Sequence, residues 1–255
     1  MSIRKLVTGA LAAFALSAGA ANAETALSYY VSGHVNYADL EVGGADGDDT
    51  FGGVSGAVAF AATQNIGVQI DADVTFADND LIDDETISGT VHVFHRTAAG
   101  LIGGFIGAAD VSDETVIGGG VEGAVYKGDW TFGGNLVYAN ADDADLDYWG
   151  LNGYAQYYFN DNLAADVALG YGNADAGGSD ADVLSIAAGA EYQLSSMPVG
   201  FGVQLAYLDA GDIDADALSL SVRARYVFTG ENLRTRNQTG ASQRGFLSQL
   251  TALVL

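Results

Sequence analysis

Residues 66–76, IGVQIDADVTF, alternate without a break. Ile66, Val68, Ile70, Ala72, Val74 and Phe76 fall on one side; Gly67, Gln69, Asp71, Asp73 and Thr75 fall on the other. Only a β-strand sends successive side chains to opposite faces. The same pattern recurs in twelve segments, roughly 26–38, 51–62, 66–77, 86–96, 101–109, 115–126, 130–139, 147–159, 163–172, 183–194, 199–208 and 217–228. Each is close to the ~9–11 residues that a tilted strand needs to cross a bilayer. A strand with one greasy face and carboxylates in the middle of the other has two uses. It can turn the acids to bulk water in a soluble sandwich, or it can line a wet lumen with lipid outside.

The connections favour the second. Those after even-numbered segments are short: TQN, HRTAAG, KGD, NDN and SSMP. Those after odd-numbered segments are longer and acidic: EVGGADGDD, DNDLIDDE, DVSDE, NADDADLD, NADAGGSDAD and DAGDIDAD. Sorting of this kind over an even number of strands is the loop asymmetry of an outer-membrane barrel, with both ends of the sheet on the short-turn side. Aromatic residues also collect at the two ends of the segments. Phe94, Tyr126, Trp130, Phe159, Phe201, Tyr226 and Phe228 are among those near short turns; Tyr37, Phe76, Tyr138, Trp149, Tyr171 and Tyr207 are near long loops. Rings with one wet edge favour the two membrane–water interfaces. Phe105 and Tyr154 do not fit this double girdle.

Charge narrows the partners. The chain has 33 acids against nine Lys and Arg, a formal charge of −24 at pH 7. That excludes nucleic acid, since phosphate binding needs clustered bases. Yet 49% of the residues are hydrophobic, so charge and grease must be segregated. Residues 1–23 are expected to be a signal peptide: Arg4 and Lys5 precede the apolar run LVTGALAAFALSAGA, and Ala21-Asn22-Ala23 forms an A-x-A cleavage site. There is no cysteine, so the exported chain must be held by packing or by closure of a sheet.

These features resemble those of bacterial outer-membrane β-barrels of the porin-like kind. The resemblance rests on the signal sequence, the girdled strands and the last strand, ALSLSVRARYVF, whose aromatic end resembles the strand read by the barrel-assembly machinery. It implies an all-β fold: a closed antiparallel transmembrane up-and-down barrel of about 12 strands over residues 24–228, in the outer membrane. Its partners would be outer-membrane lipid, lipopolysaccharide and, during biogenesis, the assembly machinery. Two departures stand out. Porins usually end on that aromatic residue, whereas TGENLRTRNQTGASQRGFLSQLTALVL follows Phe228 here, and no loop is long enough to fold into the pore as a constriction.

The inward face of such a barrel would carry His34, Asp71, Asp73, His92, Arg96, Glu122, Asp166, Glu191, Arg223 and Arg225, with Arg223 and Arg225 adjoining the His34 strand across the closure. Many Ala, Gly and Ser residues on that face predict an open, narrow bore. Facing acids and bases in such a tube set up a transverse field that favours polar solutes. The expected function is passive diffusion of small hydrophilic solutes, cations favoured by the acidic mouth. The alternative is a non-conducting structural or adhesive barrel. Residues 229–255 are expected to hang as a periplasmic appendage; otherwise they fold back and close the lumen with Arg234 and Arg236.

Other motifs add little. GGADGDDTF (43–51) and GGSDADVLS (177–185) faintly resemble a calcium-binding nonapeptide, which makes Asp46, Asp48, Asp49, Asp180 and Asp182 weak divalent-ion candidates. Loosely held Ca²⁺ or Mg²⁺ aside, no cofactor is expected. His92 and His95 lie on opposite faces of one strand and cannot chelate together. No Ser–His–acid pattern organises around His95, so no enzyme activity is expected. GGG at 118–120 lacks the Lys and Ser/Thr of a phosphate loop.

Overall fold

A computed structural model describes residues 27–77, 85–111, 114–141 and 144–250. The signal-peptide expectation for 1–23 lies outside these residues. Twelve strands are formed: β1 (Leu27–Val42), β2 (Ala45–Ala61), β3 (Ile66–Ala77), β4 (Glu85–Thr97), β5 (Gly100–Val111), β6 (Glu114–Lys127), β7 (Trp130–Ala141), β8 (Leu146–Asn160), β9 (Leu163–Ala176), β10 (Ser179–Gln193), β11 (Val199–Ala210) and β12 (Ala215–Val227). Each pairs antiparallel with its neighbours in sequence, and β1 pairs with β12 to close the ring. At that closure His34 lies opposite Arg223 and Ser32 opposite Arg225.

The alternation sorts as its chemistry requires. Val35, Ile102, Ile106, Leu136, Leu151 and Leu169 face outward, each half-exposed or more. Ser32, Asn36, Gln69, Thr90, His92 and Asn135 are buried inside. An apolar surface this extensive is suited to acyl chains, not water. Closure leaves no strand edge unpaired in lipid. The fold is a membrane-spanning barrel turned inside out relative to a soluble protein. On the exterior, Trp130 stacks on Phe132, and Tyr226 and Phe228 meet edge to face at the short-turn end. Trp149 and Tyr171 pair at the other end.

Two expectations are corrected. Phe94 and Tyr126 do not belong to the girdle: Phe94 is buried inside with Leu101 and Ala124, and Tyr126 packs against them. Two of the acidic connections, in turn, are not loops. Strands continue past the apolar band and close in tight turns, at Gly43-Gly44 (φ +60° and +79°) and Gly177-Gly178 (φ +59° and +86°). Positive φ at both central residues matches the twist of a hairpin and costs glycine little. The apolar alternation stops at the membrane edge, whereas the hydrogen-bond ladder does not. Asp46, Glu41, Asp216 and Asp209 consequently stand directly opposite one another across β2, β1, β12 and β11.

Candidate functional site

The lumen is occupied by the chain's own C-terminal segment, so the appendage expected for 229–255 is overturned for residues 229–250. After β12, Gly230 takes φ +68° and donates its N–H to the Val227 carbonyl, reversing the chain into the barrel. Helix α1 (Leu233–Thr239) follows, capped by Asn232, whose side chain accepts from the Thr235 N–H. A connecting stretch leads to α2 (Phe246–Leu250).

The segment is tied to the wall along its whole path. At the short-turn rim, Glu231 accepts from the Ser28 hydroxyl, and the Arg234 guanidinium lies 2.9 Å from Asp129 and 3.8 Å from Asp161. Leu233 is buried against Tyr158 and Ala164. Deeper in, Arg96 donates to the Gly240 carbonyl (2.9 Å) and the Ser242 hydroxyl (2.8 Å). Gln69 exchanges hydrogen bonds with the Gln243 backbone at 2.9 and 3.1 Å. Arg244 lies 4.7 Å over the Tyr154 ring. Towards the long-hairpin end, Phe246 is buried against Ala109 and Ala139. A Cβ added to Gly107 would come within 2.5 Å of the Phe246 ring. The Gln249 carbonyl accepts from Asn135 and Asn152, its amide reaches Glu122 at 3.1 Å, and Tyr148 donates to the Leu250 carbonyl at 2.6 Å.

These contacts correct the open bore. Ala57 and Ala59 meet Ala241; Ala109 and Ala139 meet Phe246; Ala164 meets Leu233. The small luminal residues make room for polypeptide. Phe105 and Tyr154, the two aromatics outside the girdle pattern, point inward beside His92 and Arg244.

Two ionic centres flank the segment. Glu191 receives three guanidinium groups, at 3.0 Å from Arg225, 3.0 Å from Arg236 and 3.3 Å from Arg223. Arg236, from α1, is almost completely buried. Arg225 also lies 4.3 Å over the Tyr30 ring. On the opposite wall the buried His92 imidazole sits between Asp71 (3.1 Å) and Glu122 (2.9 Å). Charges this deep persist only when paired, and here every pair joins different strands or strand to tail.

Beside the tail remains a chamber of about 170 Å³, its walls including His34, Asp73, Asp166, Gln204, Arg223 and Arg244. His34 lies 4.0 Å from Asp73. All ten inward residues picked from the alternation face the lumen, but they divide. His34, Asp71, Asp73, Asp166, Glu191, Arg223 and Arg225 border the chamber, whereas His92, Arg96 and Glu122 contact one another or the tail. Arg236 belongs to the fold-back alternative read from the sequence, whereas Gln243, Phe246 and Gln249 escape the alternation because they lie beyond the last strand. The signal available was charge: Arg234, Arg236 and Arg244 all follow β12 in an otherwise acidic chain.

The divalent-ion candidates do not gather. Asp46, Asp48 and Asp49 lie along β2 and Asp180 and Asp182 along β10, where Asp182 accepts from Tyr171 and Asn173. Among the described residues no group of three His, Cys, Asp or Glu is placed to hold a metal ion. His95 faces outward, opposite Ile66 and Ile102, with no serine across from it.

No protein-family model and no curated sequence matches this chain. Solved structures do. KdgM porin in complex with disordered oligogalacturonate aligns with 76% of this chain and 99% of its own at 10% identity and a TM-score of 0.55. KdgM porin alone gives 0.52 over the same 76% of this chain. The translocator domain of the autotransporter NalP from Neisseria meningitidis aligns with 88% of this chain and 98% of its own at 14% identity, TM-score 0.50. The barrel architecture is shared with outer-membrane proteins.

Proposed function

We propose that the protein is a porin-like channel of the bacterial outer membrane that passes small hydrophilic solutes without catalysis, its C-terminal segment keeping the bore narrow. The observation that supports this is the chamber of about 170 Å³ beside the tail, walled by charged and amide side chains within a closed sheet. A cavity of roughly 150 Å³ holds a molecule of benzene size, so the chamber suits water, ions and solutes of a few heavy atoms. The acid row Asp46–Glu41–Asp216–Asp209 at the long-hairpin mouth supports a preference for cations. The same mouth is the place for loosely held Ca²⁺ or Mg²⁺ and for bridging to lipopolysaccharide. The extent of the tail's contacts favours a second reading, a barrel closed at rest.

Planar-bilayer recordings of the full chain and of a form lacking 231–255 test both. A channel gives small steps for the full chain, several-fold larger steps for the deletion, and a cation-selective reversal potential at low salt. Absence of steps from the deletion form rejects transport; silence from the full chain alone selects the closed barrel.

A further inference from the structure

Fixed charge in the lumen collects at two poles. At one, Arg223, Arg225 and Arg236 share the single carboxylate of Glu191, at 3.3, 3.0 and 3.0 Å. Asp166 and Arg244 border the same chamber, so the bases outnumber the acids there even when both are counted. At the other pole the balance is reversed. Asp71 and Glu122 share the single imidazole of His92, at 3.1 and 2.9 Å. Asp73 meets the Thr75 hydroxyl at 3.0 Å and the His34 ring at 4.0 Å, and among the described residues no Lys or Arg pairs with it. Charge left over in a lumen must be met by water or by a solute.

The wall between the poles is polar and small. Directly opposed pairs run from Arg225 to Ser32, Ser32 to Ser55, Ser55 to Asp73 and Asp73 to Ser88, across β12, β1, β2, β3 and β4. Arg225 and Asp73 are thus three strand spacings apart, ~14 Å along the wall. Side chains of a closed ring converge inward, which shortens the gap between their charged heads. In the next inward row His34 stands between Arg223 and Gly53. A Cβ added to Gly53 would fall 2.4 Å from His34 Nε2, so the glycine makes room for the ring. Along the chamber, His34 Nε2, Asn36 Nδ2, Thr90 Oγ1, Arg223 Nε and Arg236 Nη1 are buried without a hydrogen-bond partner. We infer that the chamber binds a small zwitterion, an α-amino acid with a short side chain, its carboxylate toward Arg223 and its ammonium toward Asp73. Resting on the reading of the lumen as a route for small solutes, this names the solute class. A lone cation or anion answers one pole, whereas a zwitterion answers both and adds no net charge. Size agrees: a cavity of roughly 150 Å³ holds benzene, serine is of similar bulk, and the chamber is about 170 Å³.

Equilibrium dialysis of radiolabelled L-serine, ethanolamine and glycolate against the full chain, folded in detergent, tests the site. Ethanolamine lacks the carboxylate and glycolate lacks the amine. Serine is expected to bind saturably and at least tenfold more tightly than either. Asp73→Asn should reduce serine to the level of glycolate, and Arg223→Gln should reduce it to the level of ethanolamine. Both substitutions leave Glu191 paired with Arg225 and Arg236, and heat-modifiable gel mobility checks that each variant is folded. Absence of saturable serine binding, or equal binding of the three solutes by the wild type, overturns the inference whether or not the variants fold. Unchanged serine binding by both folded variants overturns it as well. Swelling of liposomes carrying the full chain in iso-osmotic serine reads transport separately. Selective serine binding without swelling supports the site and counts against the channel; swelling without saturable binding overturns the site and leaves the channel.

Discussion

Phe246→Ala tests how the plug is held. Among the described residues of the tail, Phe246 and Leu233 are the two large apolar side chains with no exposed surface. Phe246 fills a niche that exists because Gly107 has no side chain and Ala109 and Ala139 have small ones. Truncating a fully buried Phe costs ~3–5 kcal/mol. At tenfold per ~1.4 kcal/mol, the ratio of docked to undocked tail falls by between about a hundred and a few thousandfold. The barrel should persist, because the twelve ladders do not involve this residue. Phe246→Ala is therefore expected to retain the folded, heat-modifiable gel mobility while its tail becomes protease-sensitive. In bilayers it should spend part of its time at the conductance of the form lacking 231–255. Phe246→Leu, which keeps most of the volume, should fall between. If Phe246→Ala matches the wild type in both proteolysis and conductance, while the deletion conducts more, the tail is not anchored by this niche and the reasoning fails.

Two further outcomes follow from the same geometry. Glu191→Gln leaves the buried Arg236 and the partly buried Arg223 and Arg225 together without their shared carboxylate; breaking a buried pair in this way costs ~3–5 kcal/mol, so the tail should become protease-sensitive, and full protection would contradict the assigned role of Glu191. Leu169→Arg puts a charge on the outward face in mid-strand, where Leu169 is 60% exposed, at a cost of ~2–4 kcal/mol near the bilayer midplane; folding yield into lipid vesicles should drop, and an unchanged yield would argue that this face does not meet acyl chains.

The strand count, the inside and the outside were legible in the sequence, because period two is a local property. Ile66, Ile70 and Phe76 against Gln69, Asp71 and Asp73 already separate the two surfaces. The ends of the strands were not legible. The ladder joining Glu41 to Asp46 runs on where hydrophobic alternation has ceased, and nothing in the alternation marks Gly43-Gly44 as the only residues of that connection. The girdle was half legible: Phe94 sits on the inward parity of β4 with His92 and Arg96, and its position near a short turn concealed this.

The state of the lumen was settled only by tertiary structure. Composition offered Ala57, Ala109, Ala139 and Ala164, which empty a bore or receive a polypeptide equally well. Contacts between residues over a hundred positions apart, such as Gln69 with Gln243 and Asn135 with Gln249, decided which. Period and polarity act between neighbours along the chain and so are written in it. The path of residues 229–250 depends on a closed ring of walls that exists only after all twelve strands have paired.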